Sequence, residues 1–279
     1  MLLLFRVLSV LPLWLLHGMG ALLGWLAYGL SATYRARLNA HAALANISPA
    51  ARRAAVAQAG RMVAELPRLW FGLPVPVQWD GADAIEAAHA SGRGLLFLTP
   101  HLGCFEITAQ AYAARFGPAH GPITVLYRPA RKQWLAPLIE HSRRREGLAT
   151  APTTLAGVRQ LLRALRAGQA VGLLPDQVPP AGQGVWAPFF GRDAYTMTLA
   201  ARLASQTGCA VLLAWGERLP AGRGYTVHVR PLELNAAPEE PAATAQINAA
   251  MESLIRERPQ QYLWGYARWK APRAEPGIQ

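Results

Sequence analysis

The 279-residue sequence is short of charge, of lysine and of cysteine, and each shortage narrows what the chain can be. Only 16% of its residues are charged against 52% hydrophobic, too apolar for a protein of this size surrounded entirely by water. Some of its surface is therefore expected to meet lipid. The two cysteines, Cys104 and Cys209, fall in different predicted elements, which argues against a disulfide framework and suits a reducing compartment. Zinc-finger spacing, an aromatic RNA-binding motif and a basic repeat are all missing, so nothing points to nucleic acid. Internal repeats and low-complexity linkers are missing too, and the length suffices for one large domain with a real core.

The charge that is present leans one way. The net +12 comes from arginine far more than lysine and is scattered along the chain, which fits an anionic membrane surface or an acidic substrate. From Val7 to Tyr34 there is no formal charge at all. A helix of that length reaches roughly 40 Å, against a hydrocarbon core of about 30 Å. Pro12, Gly18, Gly20 and Gly24 weaken helix propensity, yet lipid offers the backbone no other partners, so a helix is still expected. Trp14, Trp25, Tyr28 and Tyr34 suit the interfaces. Only Arg6 precedes the run, which is longer than the core of a signal peptide, so a retained anchor is expected. Arg35, Arg37, Arg52 and Arg53 follow it, and the positive-inside rule then puts the body of the protein in the cytosol. The expected division is residues 1–34 as membrane anchor and 35–279 as one α/β domain, with spanning and surface-lying anchors both open.

Along the body, residues 49–70 have helical spacing of apolar residues with a basic face. Residues 94–99 (GLLFLT) form a short unbroken apolar run, the pattern of a strand buried on both faces, and Pro100 stops it. A helix over 104–116 and a strand over 123–127 follow, and strand, helix, strand predicts a parallel crossover. Further on the spacing predicts a helix over 154–167, a strand over 170–174, a helix over 198–207 closed by Gly208, and a strand over 210–215. Residues 225–229 alternate as an antiparallel edge strand would, and a last helix runs over 243–258. The fold class is α/β with a mostly parallel sheet flanked by helices.

In such sheets ligands bind beyond the carboxyl ends of the strands, and both His101 and Asp176 fall at such ends. His101 and Glu106 bracket the segment HLGCFE. Residues five apart on one helix point about 140° away from each other, so the two can meet only with His101 in a loop and Glu106 in the next helix's first turns. Gly103 eases that turn. A carboxylate bound to one imidazole nitrogen fixes the tautomer and raises the basicity of the other, which suits activation of a substrate hydroxyl. A loop histidine beside a solvated glutamate is the bland reading of the same residues.

HLGCFE resembles the HX4E box of the late acyltransferases of lipid A biosynthesis, a branch of the glycerolipid acyltransferase superfamily. Four further blocks resemble that family in order and rough spacing: LYRP at 126–129, LPDQ at 174–177, PFFG at 188–191 and QYLW at 261–264. The similarity runs through nearly the whole chain, with departures at Cys104, Arg268 and Trp269. It implies transfer of a fatty acyl group from an acyl carrier protein to a hydroxyl of a lipid A precursor at the inner membrane, without metal or organic cofactor. It also implies a catalytic pair of His101 as general base and Glu106 orienting it, with no acyl-enzyme intermediate. Tyr127, Arg128, Asp176 and Gly191 are then expected to contact substrate, with Arg128 taking an acidic group and Asp176 holding Arg128 or the acceptor rather than moving a proton. Arg143, Arg144 and Arg145 form a cluster suited to an acidic carrier protein, or a merely solvated charge run. Three rivals stay open: an acyltransferase for another glycolipid or lysophospholipid, a thiol hydrolase using Cys104, and a lipid-binding membrane protein without catalysis.

Overall fold

Proline and serine divide the apolar N-terminus in the computed structural model, which describes residues 2–127, 145–234 and 239–274. Helix α1 covers Leu2–Ser9 and ends before Pro12, which is extended at φ −67° and ψ 148°. Helix α2 then runs over Leu13–Leu30, and Ser31 caps helix α3, Ala32–Leu44, by accepting from the Tyr34 amide. The single long helix expected over 7–34 is thus three pieces. The 18 residues of α2 alone reach about 27 Å, close to the thickness of a bilayer core. Only 28% of α2 is buried, and Trp14, Leu22, Leu23, Trp25, Leu26 and Leu30 face outward.

Helix α4, Pro49–Ala64, starts on a Ser48 cap and stops at Glu65. Pro67 cannot donate to the preceding turn, so the expected helix over 49–70 is interrupted at Glu65 and a short separate helix α5, Leu66–Phe71, follows. Gly60 of α4 meets Gly20 and Gly24 of α2 backbone to backbone: a Cβ on Gly60 would lie 1.9 Å from the Gly20 carbonyl oxygen. The apolar helix is therefore packed directly onto the body of the protein.

The remaining elements alternate. In chain order they are β1 (Val77–Asp80), α6 (Asp83–Ala90), β2 (Leu95–Leu98), α7 (Phe105–Arg115), α8 (Gly117–His120), β3 (Ile123–Tyr127) and β4 (Leu148–Pro152). They continue with α9 (Leu155–Arg166), β5 (Ala170–Leu173), β6 (Gly184–Phe189), β7 (Arg192–Met197), α10 (Leu199–Thr207), β8 (Ala210–Arg218), β9 (Tyr225–Pro231) and α11 (Glu240–Glu257). Seven strands form one sheet in the order β1-β9-β8-β2-β5-β3-β4, parallel throughout except where β9 runs against β8. Strand β9 has the expected antiparallel sense but is not the edge, because β1 pairs outside it. Strands β6 and β7 make a separate hairpin.

Side chains alternate across the sheet and feed two cores. Leu96, Leu98, Val171 and Leu213 pack with Leu161 of α9, Leu203 of α10 and Ile255 of α11. Leu95, Phe97, Leu212 and Val227 pack on the other face with Ile85 of α6 and Ile107 and Tyr112 of α7. Strand β2 is buried on both faces, which is why its sequence is apolar without interruption.

Candidate active site

The register of the sheet builds the site. Strands β2 and β5 are parallel neighbours with Leu98 opposite Leu173, and the ladder extends one step through the Thr99 amide to the Leu173 carbonyl at 3.0 Å. His101 lies three residues beyond Leu98 and Asp176 three beyond Leu173, so the two chain ends deliver these side chains to one place. The Asp176 carboxylate accepts from His101 twice, from the ring Nδ1 at 2.7 Å and from the backbone amide at 2.8 Å. Burial alone would push the Asp176 carboxyl up. The charge and hydrogen bonds of His101, with the Arg268 guanidinium behind, outweigh burial and hold it below the usual carboxylate range. Asp176 is 2% exposed and the His101 side chain 13%, so the pair opens outward through the imidazole.

An acceptor-only carboxylate on Nδ1 requires the proton of the neutral ring to sit there, leaving the Nε2 lone pair for chemistry. The Gln177 side-chain amide lies 2.9 Å from that Nε2. The Phe105 ring packs against the imidazole at 4.9 Å between centroids.

The loop carrying His101 is held along its length. The His101 carbonyl accepts from Leu263, the Gly103 amide donates to the Gln261 carbonyl, and the Cys104 amide donates to the Gly216 carbonyl. Gly103 has φ +60°, and a Cβ there would fall 2.0 Å from the Gly216 oxygen, so glycine is required both for conformation and for space. Beneath the loop, Arg218 forks onto Glu65 at 2.7 and 2.5 Å and donates to the Gly103 carbonyl at 3.0 Å. His17 of α2 and the Tyr225 hydroxyl complete the shell around Glu65, at 3.1 and 2.9 Å.

Glu106 stands apart from this arrangement. It occupies the first turn of α7, as expected, but there it accepts from the Trp70 indole at 3.4 Å and lies near the Arg145 guanidinium. Among the described residues the carboxylate bonded to His101 is Asp176, so the expected His101–Glu106 contact gives way to one set by strand register. Glu106 instead lines an apolar cavity of about 90 Å³ between α7 and the sheet. Thr99 and Leu174 stand at the strand ends by the cavity, and Phe97, Val125, Ala214 and Val227 form its floor.

Tyr127 ends β3, where its carbonyl accepts from Thr153. Gly191, with φ +74°, turns the exposed tip of the β6–β7 hairpin, and no hydrogen bond among the described residues ties it to His101. Arg128, Arg143 and Arg144 lie outside the described residues; Arg145 donates to the Leu69 carbonyl. Cys104 is 1% exposed in the core, and burial, with Glu65 nearby, pushes its thiol well up, against a role as nucleophile. Glu65 and Arg218 are picked out by no sequence motif, and Gln177 stood in the sequence only as the last residue of LPDQ, without a role. For Gln177 the signal was its place directly after Asp176 at a strand end.

Comparison with known proteins matches residues 1–271 to the family described as bacterial lipid A biosynthesis acyltransferase. Among individual relatives, the lipid A biosynthesis palmitoleoyltransferase of Escherichia coli K12 is 27% identical over 205 residues, 73% of this chain and 62% of that protein. The lipid A biosynthesis lauroyltransferase of the same organism is 28% identical over 194 residues, 68% of this chain and 60% of the relative. A lipid A biosynthesis acyltransferase of Haemophilus influenzae is 27% identical over 189 residues, 67% of this chain and 57% of its own length. The chain thus spans less than two thirds of each of these relatives.

Proposed function

The chain belongs to the bacterial lipid A biosynthesis acyltransferase family, and from that premise we propose that it moves a fatty acyl group from an acyl carrier protein thioester to a hydroxyl of a lipid A precursor. His101 Nε2 removes the proton of the acceptor hydroxyl as its oxygen attacks the thioester carbonyl carbon. The carbon–sulfur bond breaks, and the imidazolium returns the proton to the departing thiolate, so no acyl-enzyme forms. Asp176 orients the ring and stabilises the imidazolium without itself taking a proton. The observation that carries this reading is the 2.7 Å bond from Nδ1 to a buried, ionised carboxylate, which leaves the Nε2 lone pair as the base.

Glu106 remains the second member of the catalytic pair in this proposal, as the carboxylate beside the acyl cavity rather than the group that steers the histidine. The cavity walls are chiefly Phe, Val, Leu and Ala side chains, chemically suited to hydrocarbon, and its volume of about 90 Å³ takes a few carbons of an acyl chain. Two of the relatives are named for palmitoleoyl and lauroyl transfer, which fits a fatty acyl donor here. Tyr127, Arg128 and Gly191 are proposed to contact the substrates. The outward apolar face of α2 fits an anchor in the inner membrane with residues 35–279 as the catalytic domain in the cytosol.

The test is transfer of a labelled acyl group from acyl carrier protein to a lipid A precursor by the purified protein. Replacing His101 with Ala is expected to lower turnover by roughly 100- to 10,000-fold. Undiminished transfer by that variant would overturn the mechanism.

A further inference from the structure

Both ring nitrogens of His101 are occupied by consecutive residues of one loop. Asp176 takes Nδ1, and Gln177 places its amide nitrogen 2.9 Å from Nε2. Since Nδ1 carries the proton of the neutral ring, Nε2 accepts, and the Gln177 amide must present an N–H to it. The loop backbone beneath is fixed, because the Val178 amide donates to the Tyr266 hydroxyl at 2.9 Å. The Gln177 side chain is half-buried, and its one hydrogen bond among the described residues is the one to His101. The base is therefore capped at the atom that has to take a proton.

We propose that Gln177 is a gate on His101 that selects a bound lipid hydroxyl over water, and so decides between acyl transfer and thioester hydrolysis. The inference rests on the function proposed above. A hydroxyl must displace the amide before Nε2 can accept its proton. Water gains by this exchange no more than the hydrogen bond it breaks, so the exchange is close to neutral for it. A glycolipid hydroxyl arrives with the binding energy of the rest of its molecule and spends part of it on displacing the amide. Without the gate, water reaches Nε2: its oxygen attacks the thioester carbonyl carbon and its proton passes to His101. The carbon–sulfur bond then breaks, the thiolate takes that proton, and a free fatty acid and a thiol result. The amide also offers a carbonyl oxygen, so rotation through about 180° lets the same side chain accept from the imidazolium formed during turnover.

The experiment measures acyl transfer and fatty acid release together, using acyl carrier protein thioester and lipid A precursor with the full-length protein in detergent. Gln177→Ala is expected to raise the ratio of hydrolysis to transfer about tenfold, the yield of one lost hydrogen bond at the barrier. A ratio equal to that of the wild type, or a parallel fall of both activities, overturns the gate. Gln177→Glu, nearly the same size, supplies the second measurement: a carboxylate at Nε2 holds the imidazolium and moves the acid limb of the kcat/KM profile to higher pH. An unmoved limb also overturns the proposal. His101→Ala separates the two levels of inference. If it retains transfer, the general-base reading fails. If it loses transfer while Gln177→Ala leaves the ratio unchanged, the gate alone fails.

Discussion

Arg218→Met is expected to damage both the stability of the protein and its turnover, and the size of the loss follows from what the guanidinium touches. Arg218 and Glu65 are each 1% exposed, and the fork between them is the best-buried ion pair in the described residues. Arg218 also donates to Gln58 at 2.7 Å and to the Gly103 carbonyl, two residues from His101. Removing one member of such a pair strands the other charge in the interior, which costs about 3–5 kcal/mol. For a domain of this size that is a fall of roughly 6–20 °C in Tm. Burial would raise the Glu65 carboxyl, but the charge and hydrogen bond of Arg218, helped by His17, bring it down to about 2. The folded-state value is depressed, so the stability it confers is complete above the ordinary glutamate range and is lost as pH falls from about 4 toward 2. A shift of that size corresponds to roughly 3 kcal/mol, consistent with the mutational figure. In Arg218→Met the opposite slope is expected near neutrality, because the uncompensated carboxylate now gains by taking a proton. The assay is thermal unfolding in detergent between pH 3 and 8 for Arg218→Met, Glu65→Gln and the double variant. A loss below about 1 kcal/mol for Arg218→Met, or a double variant whose loss equals the sum of the singles, would refute the reasoning.

Asp176→Asn keeps the shape of the site but removes the charge that fixes the Nδ1–H tautomer. Turnover in the transfer assay is expected to fall about 1,000- to 10,000-fold with the fold intact by circular dichroism. Ala109→Phe puts a ring into the cavity between α7 and the sheet, and competition between donors of different chain length is expected to shift toward shorter acyl groups. Each methylene denied burial loses about 0.8 kcal/mol, close to fourfold in kcat/KM. Gly60→Val forces α2 and α4 apart at their backbone contact, and a loss of about 2 kcal/mol or more is expected in thermal unfolding.

The parallel core was legible because its strands are buried on both faces: GLLFLT and AVGL announce themselves by unbroken apolarity. The edges were not. Strand β1 is four residues long with an alternating burial pattern, and β4 ends in Pro152, which reads as a loop until its place at the sheet edge is known. The site was half legible. His101 and Asp176 both stand at carboxyl ends of strands, yet only the pairing of β2 with β5 in that register shows that equal offsets bring them together. Spacing within HLGCFE favours Glu106 because it is near in sequence, whereas the bonded carboxylate comes from a neighbouring strand. Glu65 and Arg218, far apart in the chain and each unremarkable locally, carry no periodic or motif signal of their partnership.

The seam where Gly20 and Gly24 cross Gly60 makes the apolar helix α2 a wall of the protein rather than a leash. A shortened chain starting after residue 31 would lose His17 from Glu65 and lay bare the backbone at Val56 and Gly60, so shedding the helix to obtain a freely soluble catalyst should instead loosen the platform under His101. In the anchor proposed above, the seat of α2 and the support of the loop carrying His101 are therefore coupled through one crossing and the His17–Glu65 contact.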